Sequence, residues 1–157
     1  MITRATARLL PFDPNGRLLL FKCQDDASTG PGYFWITPGG GVEPGETYER
    51  AARRELWEET GIEASEDIGP CVLEQESVGR HADYGNQDIV YRDRHFTVRL
   101  LAEEIASLDP SAITGSGYLG HRWWSPEELE STSDPVWPED LAAIVGEAGP
   151  TSWPERG

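Results

Sequence analysis

Positive charge is scarce in this chain, and lysine is almost absent from it. The 157 residues include 28 Asp or Glu but only 13 Lys or Arg, and Lys22 is the one lysine, so the formal net charge is −15. Proteins that bind long nucleic acids or anionic membranes rely on basic surfaces, so this charge disfavours both partners. A small phosphorylated ligand stays compatible with it, because a few arginines or a bound metal can reverse the field inside one pocket.

Cysteine and long apolar runs are also scarce. Cys23 and Cys71 are too few for a disulfide framework or a zinc site, which favours reduced thiols and a cytoplasmic location. No apolar run approaches the roughly 20 residues that span a bilayer, and residues 1–4 lack the apolar core of a secretory signal. The length predicts a single domain over residues 1–157, in which residues 149–157 form a loose tail.

The most informative pattern lies in residues 40–62, which read GGVEPGETYERAARRELWEETGI. Thr47 suits the N-cap of a helix, and Gly61 suits the left-handed conformation that ends many helices. We therefore predict a helix over residues 47–60.

Three carboxylates share one edge of this predicted helix. At about 100° per residue, Glu58 lies roughly 60° to one side of Glu55 and Glu59 about 40° to the other. Like charges at this spacing disfavour an isolated helix, whereas a hard divalent cation such as Mg²⁺ or Mn²⁺ would make the cluster favourable. Glutamates on a helix more often form a solvated face, so their spacing alone does not establish a metal site.

The complete pattern resembles the signature of the Nudix hydrolases in their MutT-like form. That signature reads G, five residues, E, seven residues, R-E-U, any residue, E-E, any residue and G-U, where U is a bulky aliphatic residue. Residues 40–62 match it without a gap. The resemblance implies an α/β fold, the Nudix-type α/β/α sandwich with a mixed β-sheet.

The same resemblance implies a metal-dependent pyrophosphohydrolase. In this reaction water attacks the diphosphate bond of a nucleoside diphosphate linked to another moiety, and Mg²⁺ (or Mn²⁺) neutralises the charge that builds on the oxygens. The implied metal ligands are the Gly39 carbonyl and the carboxylates of Glu55, Glu58 and Glu59. The implied catalytic residues are Glu58, Glu55, Arg54 and Glu46. Arg54 and Glu46 are expected to pair and so to pin the preceding loop to the helix.

A general base outside this pattern is not evident. Many relatives place a glutamate in a loop ahead of a late strand, but residues 113–120 contain no carboxylate. The nearest upstream carboxylates, which equally suit solvated positions, are Glu103, Glu104 and Asp109. A glutamate of the pattern is the preferred choice, with Glu58 ahead of Glu55. A metal-bound hydroxide that needs no base and the imidazole of His81 remain open alternatives.

Substrate contacts are less sharply indicated. Arg92 and Arg94 alternate along a predicted strand and are expected to reach phosphates, with an exposed strand face as the alternative reading. Tyr84 is expected to stack on a base, a contact worth roughly 1–3 kcal/mol in nucleic-acid sites, with a place in the apolar core as the alternative reading. The sequence does not name the moiety linked to the diphosphate. The expected partner is a small nucleotide-type substrate, and a homodimer is compatible with the sequence.

The remaining elements follow from alternation, turns and caps. Residues 13–16 predict a hairpin turn, residues 105–118 a mobile loop, and residues 138–145 a C-terminal helix that begins at a proline. The predicted strands lie at residues 4–10, 17–23, 33–37, 71–78, 89–101 and 122–124. Strands, a helix, more strands and a final helix are compatible with a mixed α and β architecture.

Two alternatives belong to other functional classes. A non-catalytic nucleotide-binding sensor module of the same fold would bind its ligand without cleaving it, although a sensor does not need every metal ligand. An isomerase of isoprenyl diphosphates with this fold would need further catalytic residues. In that case Cys23 or Cys71 would face the helix glutamates.

Overall fold

The computed structural model describes residues 2–26, 30–65, 68–80, 84–85 and 87–150, which form eight strands and five helices. The strands are β1 Ile2–Phe12, β2 Leu18–Gln24, β3 Tyr33–Ile36, β4 Gly39–Gly41, β5 Cys71–Arg80, β6 Asp88–Arg99, β7 Gly120–Trp124 and β8 Val136–Trp137. The helices are α1 Tyr48–Thr60, α2 Ala102–Ile105, α3 Pro110–Gly115, α4 Pro126–Ser131 and α5 Leu141–Ala148.

A mixed sheet forms the centre of the structure, and β1 is one of its inner strands. The strand order is β5-β6-β1-β2-β3-β8, with β4 paired to β1 and β7 paired to β2. β1 runs parallel to β6 along its whole length, whereas its pairs with β4 and β2 are antiparallel. β4 pairs with residues 6–8 of β1, and β2 joins the same strand at Phe12. The predicted α/β class with a mixed sheet is confirmed.

The turn between β1 and β2 forms where the sequence predicts it. The Asp13 carboxylate accepts hydrogen bonds from the amides of Asn15 and Arg17 at 2.9 and 2.8 Å. Gly16 has a φ of 80°, a left-handed conformation that glycine adopts without a Cβ clash. A short acidic side chain thus satisfies the turn amides, and the two strands form a hairpin.

The helix α1 has the ends that the sequence predicts. The Thr47 side chain accepts a hydrogen bond from the Arg50 amide at 3.1 Å, and Gly61 donates its amide to the Trp57 carbonyl at 2.8 Å. The apolar face of α1 packs on the sheet in a buried cluster that includes Ala7, Leu9, Ala51, Ala52, Leu56, Phe96 and Val98. Burial of this face fixes the rotation of α1 and therefore the directions in which its glutamates point.

Half of the segment predicted as a mobile loop, residues 105–118, is helical, so the prediction of a loop is wrong for Ile105 and for residues 110–115. Asp109 caps α3 by accepting a hydrogen bond from the Ser111 amide at 2.9 Å. Ile113 is fully buried in a cluster with Phe21. Each of the short helices α2 and α3 buries few side chains, so neither shows the 3.6-residue periodicity that marks longer helices in a sequence.

The C-terminal helix begins at Leu141 and not at residue 138 as predicted. Trp137 pairs with Ile36 in the parallel ladder between β8 and β3, so the chain is still part of the sheet at that point. Of the predicted tail, residues 151–157 lie outside the described residues. None of the helices in the described part of the chain is long and apolar enough to cross a membrane.

A buried histidine lies in β6. His95 is fully buried and pairs with Arg8 of β1 on one side and Leu73 of β5 on the other. Neither ring nitrogen makes a hydrogen bond of acceptable geometry within the described residues, although the Leu73 carbonyl lies nearby. Burial, assisted by the charge of Arg8, lowers the pKa of His95 from 6.5 to about 4. The ring is therefore neutral in the folded protein at pH 7.

We predict that His95 makes the protein less stable as the pH falls from 7 to 4. The unfolded chain takes up a proton near pH 6.5, but the folded chain does so only near pH 4. Acid therefore favours unfolding in this window, by up to about 3 kcal/mol for this one group. Urea denaturation at both pH values should show a smaller acid-induced loss of unfolding free energy in His95→Gln than in the wild type.

The control for this prediction is His121→Gln, which removes a histidine that is only partly buried. It should behave more like the wild type than His95→Gln does. An identical pH dependence in His95→Gln and the wild type would contradict the prediction.

Candidate functional site

The helix α1 places its three glutamates in three different environments. Glu59 is buried, with 5% of its surface exposed, and its Oε1 accepts a hydrogen bond from the Gly39 amide at 2.9 Å. Glu55 is mostly buried and lies against Gly40 of β4. The side chain of Glu58 is 47% exposed and is the most accessible of the three. The edge of α1 thus presents carboxylates that range from buried to solvent-exposed.

Two glycines let β4 lie close to these carboxylates and to β1. A Cβ at Gly40 would lie 2.6–2.8 Å from the carboxyl atoms of Glu55, closer than real Cβ contacts. Gly39 has a φ of 142°, and a Cβ there would lie 2.2 Å from the Ala7 carbonyl oxygen. Glycine at these positions therefore gives the Glu55 carboxylate its room and lets β4 pair with β1.

Arg54 ties the loop before α1 to the helix and to β4. Its Nε and Nη2 donate to the two carboxylate oxygens of Glu46 at 2.8 and 2.9 Å, and Nη2 also donates to the Gly41 carbonyl at 2.8 Å. The hydrogen bonds from Arg54 lower the pKa of Glu46 to about 2, and Glu46 in turn raises the pKa of Arg54. The expected pair is therefore present. A direct catalytic role for either residue stays a prediction.

The third nitrogen of this guanidinium group lies beside the other two helix carboxylates. Nη1 of Arg54 is 3.0 Å from Glu55 and 3.2 Å from Glu58, whereas Glu59 is turned towards Gly39. Within the described ranges, no three acidic, imidazole or thiol side chains cluster closely enough to hold one ion. The structure thus brings the glutamates to one helix edge and pairs two of them with a guanidinium group.

Burial makes two of the carboxylates harder to ionise. It raises the pKa of Glu59 to about 7, against the opposing effect of a hydrogen bond from Tyr118, and it also raises the pKa of Glu55. A divalent cation favours the ionised forms and would offset this effect. Carboxylate and carbonyl oxygens are also the ligands that Mg²⁺ and Mn²⁺ prefer. The donor set therefore fits such an ion chemically.

Two residues of the site, Tyr118 and Arg8, are missing from the sequence-based prediction. The Tyr118 hydroxyl lies beside the Glu59 carboxylate and the Arg8 guanidinium and interacts with both. Arg8 Nη1 also donates to the carbonyls of Thr37 at 3.0 Å and Gly39 at 3.4 Å. The one sequence signal for Arg8 is its charge within the alternating pattern of β1. The sequence gives no local signal for Tyr118, because its place depends on a tertiary contact.

The predicted phosphate ligands Arg92 and Arg94 are paired with carboxylates of the neighbouring strand. Arg92 lies 2.9 Å from Glu76, and Arg94 lies 3.1 Å from Glu74. The guanidinium carbon of Arg94 also lies 4.3 Å from the ring centre of Tyr48. Tyr48 is the first residue of α1, about 10 Å along the helix axis from the first of the three glutamates. Contact of these arginines with phosphate stays a prediction.

The other candidates from the sequence are not joined to the helix glutamates by any described contact. Tyr84 is 38% exposed, and His81 lies outside the described residues. Glu104 is buried and accepts hydrogen bonds from two backbone amides, while Asp109 caps α3. Glu103 is exposed in α2. The upstream carboxylates therefore provide no clear general base.

A cavity of about 700 Å³ opens beside β3 and β8, a volume typical of small-molecule sites. Its lining includes the apolar and acidic residues Asp25, Phe34, Ile36, Val78, Asp134, Val136, Trp137 and Glu139. Ile36 stands three residues before Gly39. The strand that lines this cavity therefore runs directly into the glycines that contact α1.

Known proteins are similar to this chain in sequence and in fold. A family model described as the NUDIX domain matches residues 2–144. Nucleoside triphosphatase NudI of Salmonella newport (strain SL254) is 34% identical over 117 residues, which cover 73% of this chain and 77% of that protein.

Solved structures show the same architecture. The MutT protein from Methanosarcina mazei Go1 has a TM-score of 0.62 at 19% identity, covering 93% of this chain and 92% of that one. The E. coli ORF135 protein has a TM-score of 0.53 at 26% identity, covering 92% of this chain and 87% of that one.

The sheet, the carboxylate-bearing helix and these similarities define the class of the protein. The family match spans residues 2–144, and the Salmonella relative is 34% identical over the 117 aligned residues. The chain belongs to the Nudix family. It is a hydrolase that acts on diphosphate bonds.

We predict that Arg54→Lys destabilises the protein by about 2 kcal/mol, because a single ammonium group cannot replace the two-pronged contact with Glu46 and the bond to Gly41. Urea denaturation at pH 7 measures the change. Arg92→Lys is the matched control, since its pair with Glu76 is exposed and should contribute less than about 1 kcal/mol. Equal losses in the two variants would show that Arg54 does not hold the loop to the helix.

Proposed function

We propose that this protein is a divalent-metal-dependent pyrophosphohydrolase of small nucleotides, with nucleoside triphosphates as the first substrates to test. The observation that carries the proposal is the buried carboxylate of Glu59, which the Gly39 amide holds on the same helix edge as Glu55 and Glu58. The similarity to a protein named as a nucleoside triphosphatase supports this substrate class. The proposed cofactor is Mg²⁺, with Mn²⁺ as the alternative.

The proposed role of each residue in this site follows from how deeply the residue is buried. When bound, the cation polarises the diphosphate and lowers the pKa of a water molecule. Glu59 and Gly39 form the fixed side of the site, because the hydrogen bond between them holds both. Glu58 is accessible to solvent, so we assign it to accept the proton of the attacking water at a carboxylate oxygen. Glu55, mostly buried against Gly40, is the second choice for this role.

The cavity beside β3 is the proposed site for the nucleoside. Phe34 and Trp137 offer aromatic surface there, and base stacking on aromatic side chains is worth roughly 1–3 kcal/mol per base. Asp134 and Glu139 line the same cavity and offer acceptors for exocyclic amino groups. Since β3 leads into Gly39, a nucleoside in this cavity lies on the strand that continues to the carboxylate helix.

The sensor module and the isomerase of isoprenyl diphosphates receive less support from the structure. A sensor module has no need for a buried carboxylate that is held on the same helix edge as two others. An isomerase would need a thiol at the glutamates. Cys23 contacts the Gln24 carbonyl and lies near enough to Arg8 for the charge of Arg8 to act on its pKa, and Cys71 contacts the Leu73 carbonyl. Neither thiol has a described contact with a glutamate of α1. We therefore retain the hydrolase as the proposed function.

We predict that Glu58→Gln lowers the turnover number by roughly 10²–10⁴-fold, the usual contribution of a general base. The melting temperature should not fall, because the side chain is half exposed. The assay is Mg²⁺-dependent phosphate release, with a coupled phosphatase, over nucleoside triphosphates, oxidised nucleotides, nucleotide sugars and ADP-ribose. Glu49→Gln, which changes an exposed glutamate in the first turn of α1, is the control and should keep wild-type activity.

Two results would count against this assignment. Equal activity in Glu58→Gln and the wild type would remove Glu58 from the mechanism. An inactive wild type whose melting temperature still rises with nucleotides would favour the sensor module.

We predict that Phe34→Ala raises the KM for the best nucleotide several-fold and leaves the turnover number nearly unchanged. Removal of a stacking surface weakens ground-state and transition-state binding equally. Steady-state kinetics at saturating Mg²⁺ measure both constants. Tyr84→Ala tests the stacking residue that the sequence suggests, which is not among the described residues lining the cavity. A raised KM in Tyr84→Ala alone would place the base outside the cavity.

A further inference from the structure

Tyr118 is held in place by backbone contacts and by packing. Gly117, at a φ of 100°, turns the chain after α3, and the Tyr118 amide donates to the Ile113 carbonyl at 3.3 Å. The tyrosine ring contacts the ring of the fully buried Phe21, with centroids 4.6 Å apart. The position of the hydroxyl group is therefore set by contacts that do not involve α1.

The hydroxyl group of Tyr118 joins two charged side chains. It lies beside the Glu59 carboxylate of α1 and the Arg8 guanidinium of β1 and interacts with both. A guanidinium group has donors only, so the Tyr118 oxygen is the acceptor towards Arg8, and its single proton is left for the ionised form of Glu59.

Arg8 also contacts the backbone of Gly39, whose carbonyl is another of the implied metal ligands. Its Nη1 donates to the Thr37 carbonyl at 3.0 Å and to the Gly39 carbonyl at 3.4 Å. Gly39 in turn donates its amide to Glu59 at 2.9 Å. One closed network therefore links the backbone of β4, the carboxylate of α1, the guanidinium of β1 and the hydroxyl group that precedes β7.

We propose that Tyr118 and Arg8 are positioning residues that orient Glu59 and Gly39 for the divalent cation. This inference rests on the proposed metal-dependent function. The Gly39 amide and the Tyr118 hydroxyl each occupy part of the hydrogen-bonding capacity of the Glu59 carboxylate, and its remaining lone pairs are left for the ion. Outer hydrogen-bond partners of this kind fix the orientation of a metal ligand.

Tyr118 does not replace the general base that residues 113–120 lack. A neutral phenol is a weak base, so its hydroxyl group does not take the proton of the attacking water. Its contribution is to the orientation of the carboxylate.

Direct binding of Mn²⁺, followed by the electron paramagnetic resonance signal of the free ion, tests this inference without turnover. We expect Tyr118→Phe, which keeps the ring and its contact with Phe21, to weaken Mn²⁺ binding by roughly ten- to hundredfold. Tyr33→Phe is the matched control for Mn²⁺ binding. It removes a different tyrosine hydroxyl, 3.2 Å from the Asp134 carboxylate, and should leave the affinity unchanged.

Arg8→Lys tests the second member of the pair. It should also weaken Mn²⁺ binding, because one ammonium group cannot reproduce the forked contacts with Thr37, Gly39 and Tyr118. The thermal unfolding midpoint of each variant separates a loss of binding from a loss of fold.

The Mg²⁺ dependence of turnover provides a second test, because a purely structural role of Tyr118 would not change it. In Tyr118→Phe the Mg²⁺ concentration for half-maximal activity should rise by the same factor as the Mn²⁺ dissociation constant. The KM for the nucleotide at saturating Mg²⁺ should not change, since Tyr118 contacts the metal ligand and not the substrate.

The outcomes separate this inference from the proposed function. A wild type that binds no Mn²⁺ overturns the metal-dependent function and the inference with it. If the wild type binds Mn²⁺ and hydrolyses a nucleotide only when a divalent ion is present, the proposed function stands. An affinity of Tyr118→Phe that is indistinguishable from the wild type then overturns the positioning role alone. Unchanged affinity in a folded Arg8→Lys, beside weakened affinity in Tyr118→Phe, overturns the role of Arg8.

Discussion

The hydrogen bond from the Gly39 amide to the buried Glu59 carboxylate joins α1 to β4, and the rest of the site is arranged around this contact. An ionised carboxylate is unfavourable in the interior unless hydrogen bonds or opposite charge compensate it. Tyr118 adds a second hydrogen bond, yet burial still raises the pKa of Glu59 to about 7. A divalent cation would offset this remaining imbalance. The packing of the helix and the proposed chemistry therefore depend on the same residue.

Two arginines organise the positive charge of a site in a chain whose net charge is −15. Arg54 holds the Glu46 carboxylate and the Gly41 carbonyl, so it fixes the loop before α1. Arg8 donates to the Gly39 carbonyl from the other side of β4. Each guanidinium group thus holds a backbone segment and also lies close enough to the helix carboxylates to affect their charge. These two local cations thus offset part of the negative charge at the site of a strongly acidic protein.

Local patterns predict the parts of the site that are close in sequence. The ends of α1 and the pair of Arg54 with Glu46 follow from capping preferences and from the spacing of the signature. The sequence does not predict the network of Tyr118 and Arg8, because the sheet pairing and the burial of α3 bring these side chains together from distant parts of the chain. The helices within residues 105–118 are missed for a related reason, since short helices that are held mainly by tertiary packing leave little periodicity in the sequence.

The proposed function requires that the carboxylate helix supports metal-dependent hydrolysis of a diphosphate bond. Phosphorus NMR of nucleotides incubated with the protein and Mg²⁺ in ¹⁸O-labelled water tests it most directly, because the spectrum identifies both the products and the phosphorus that receives the oxygen of water. For a nucleoside triphosphate we expect nucleoside monophosphate and pyrophosphate, with ¹⁸O in one of the two products and no reaction once EDTA removes the metal. Unchanged nucleoside triphosphates and nucleotide sugars in the presence of Mg²⁺, or turnover that persists in EDTA, would contradict the claim.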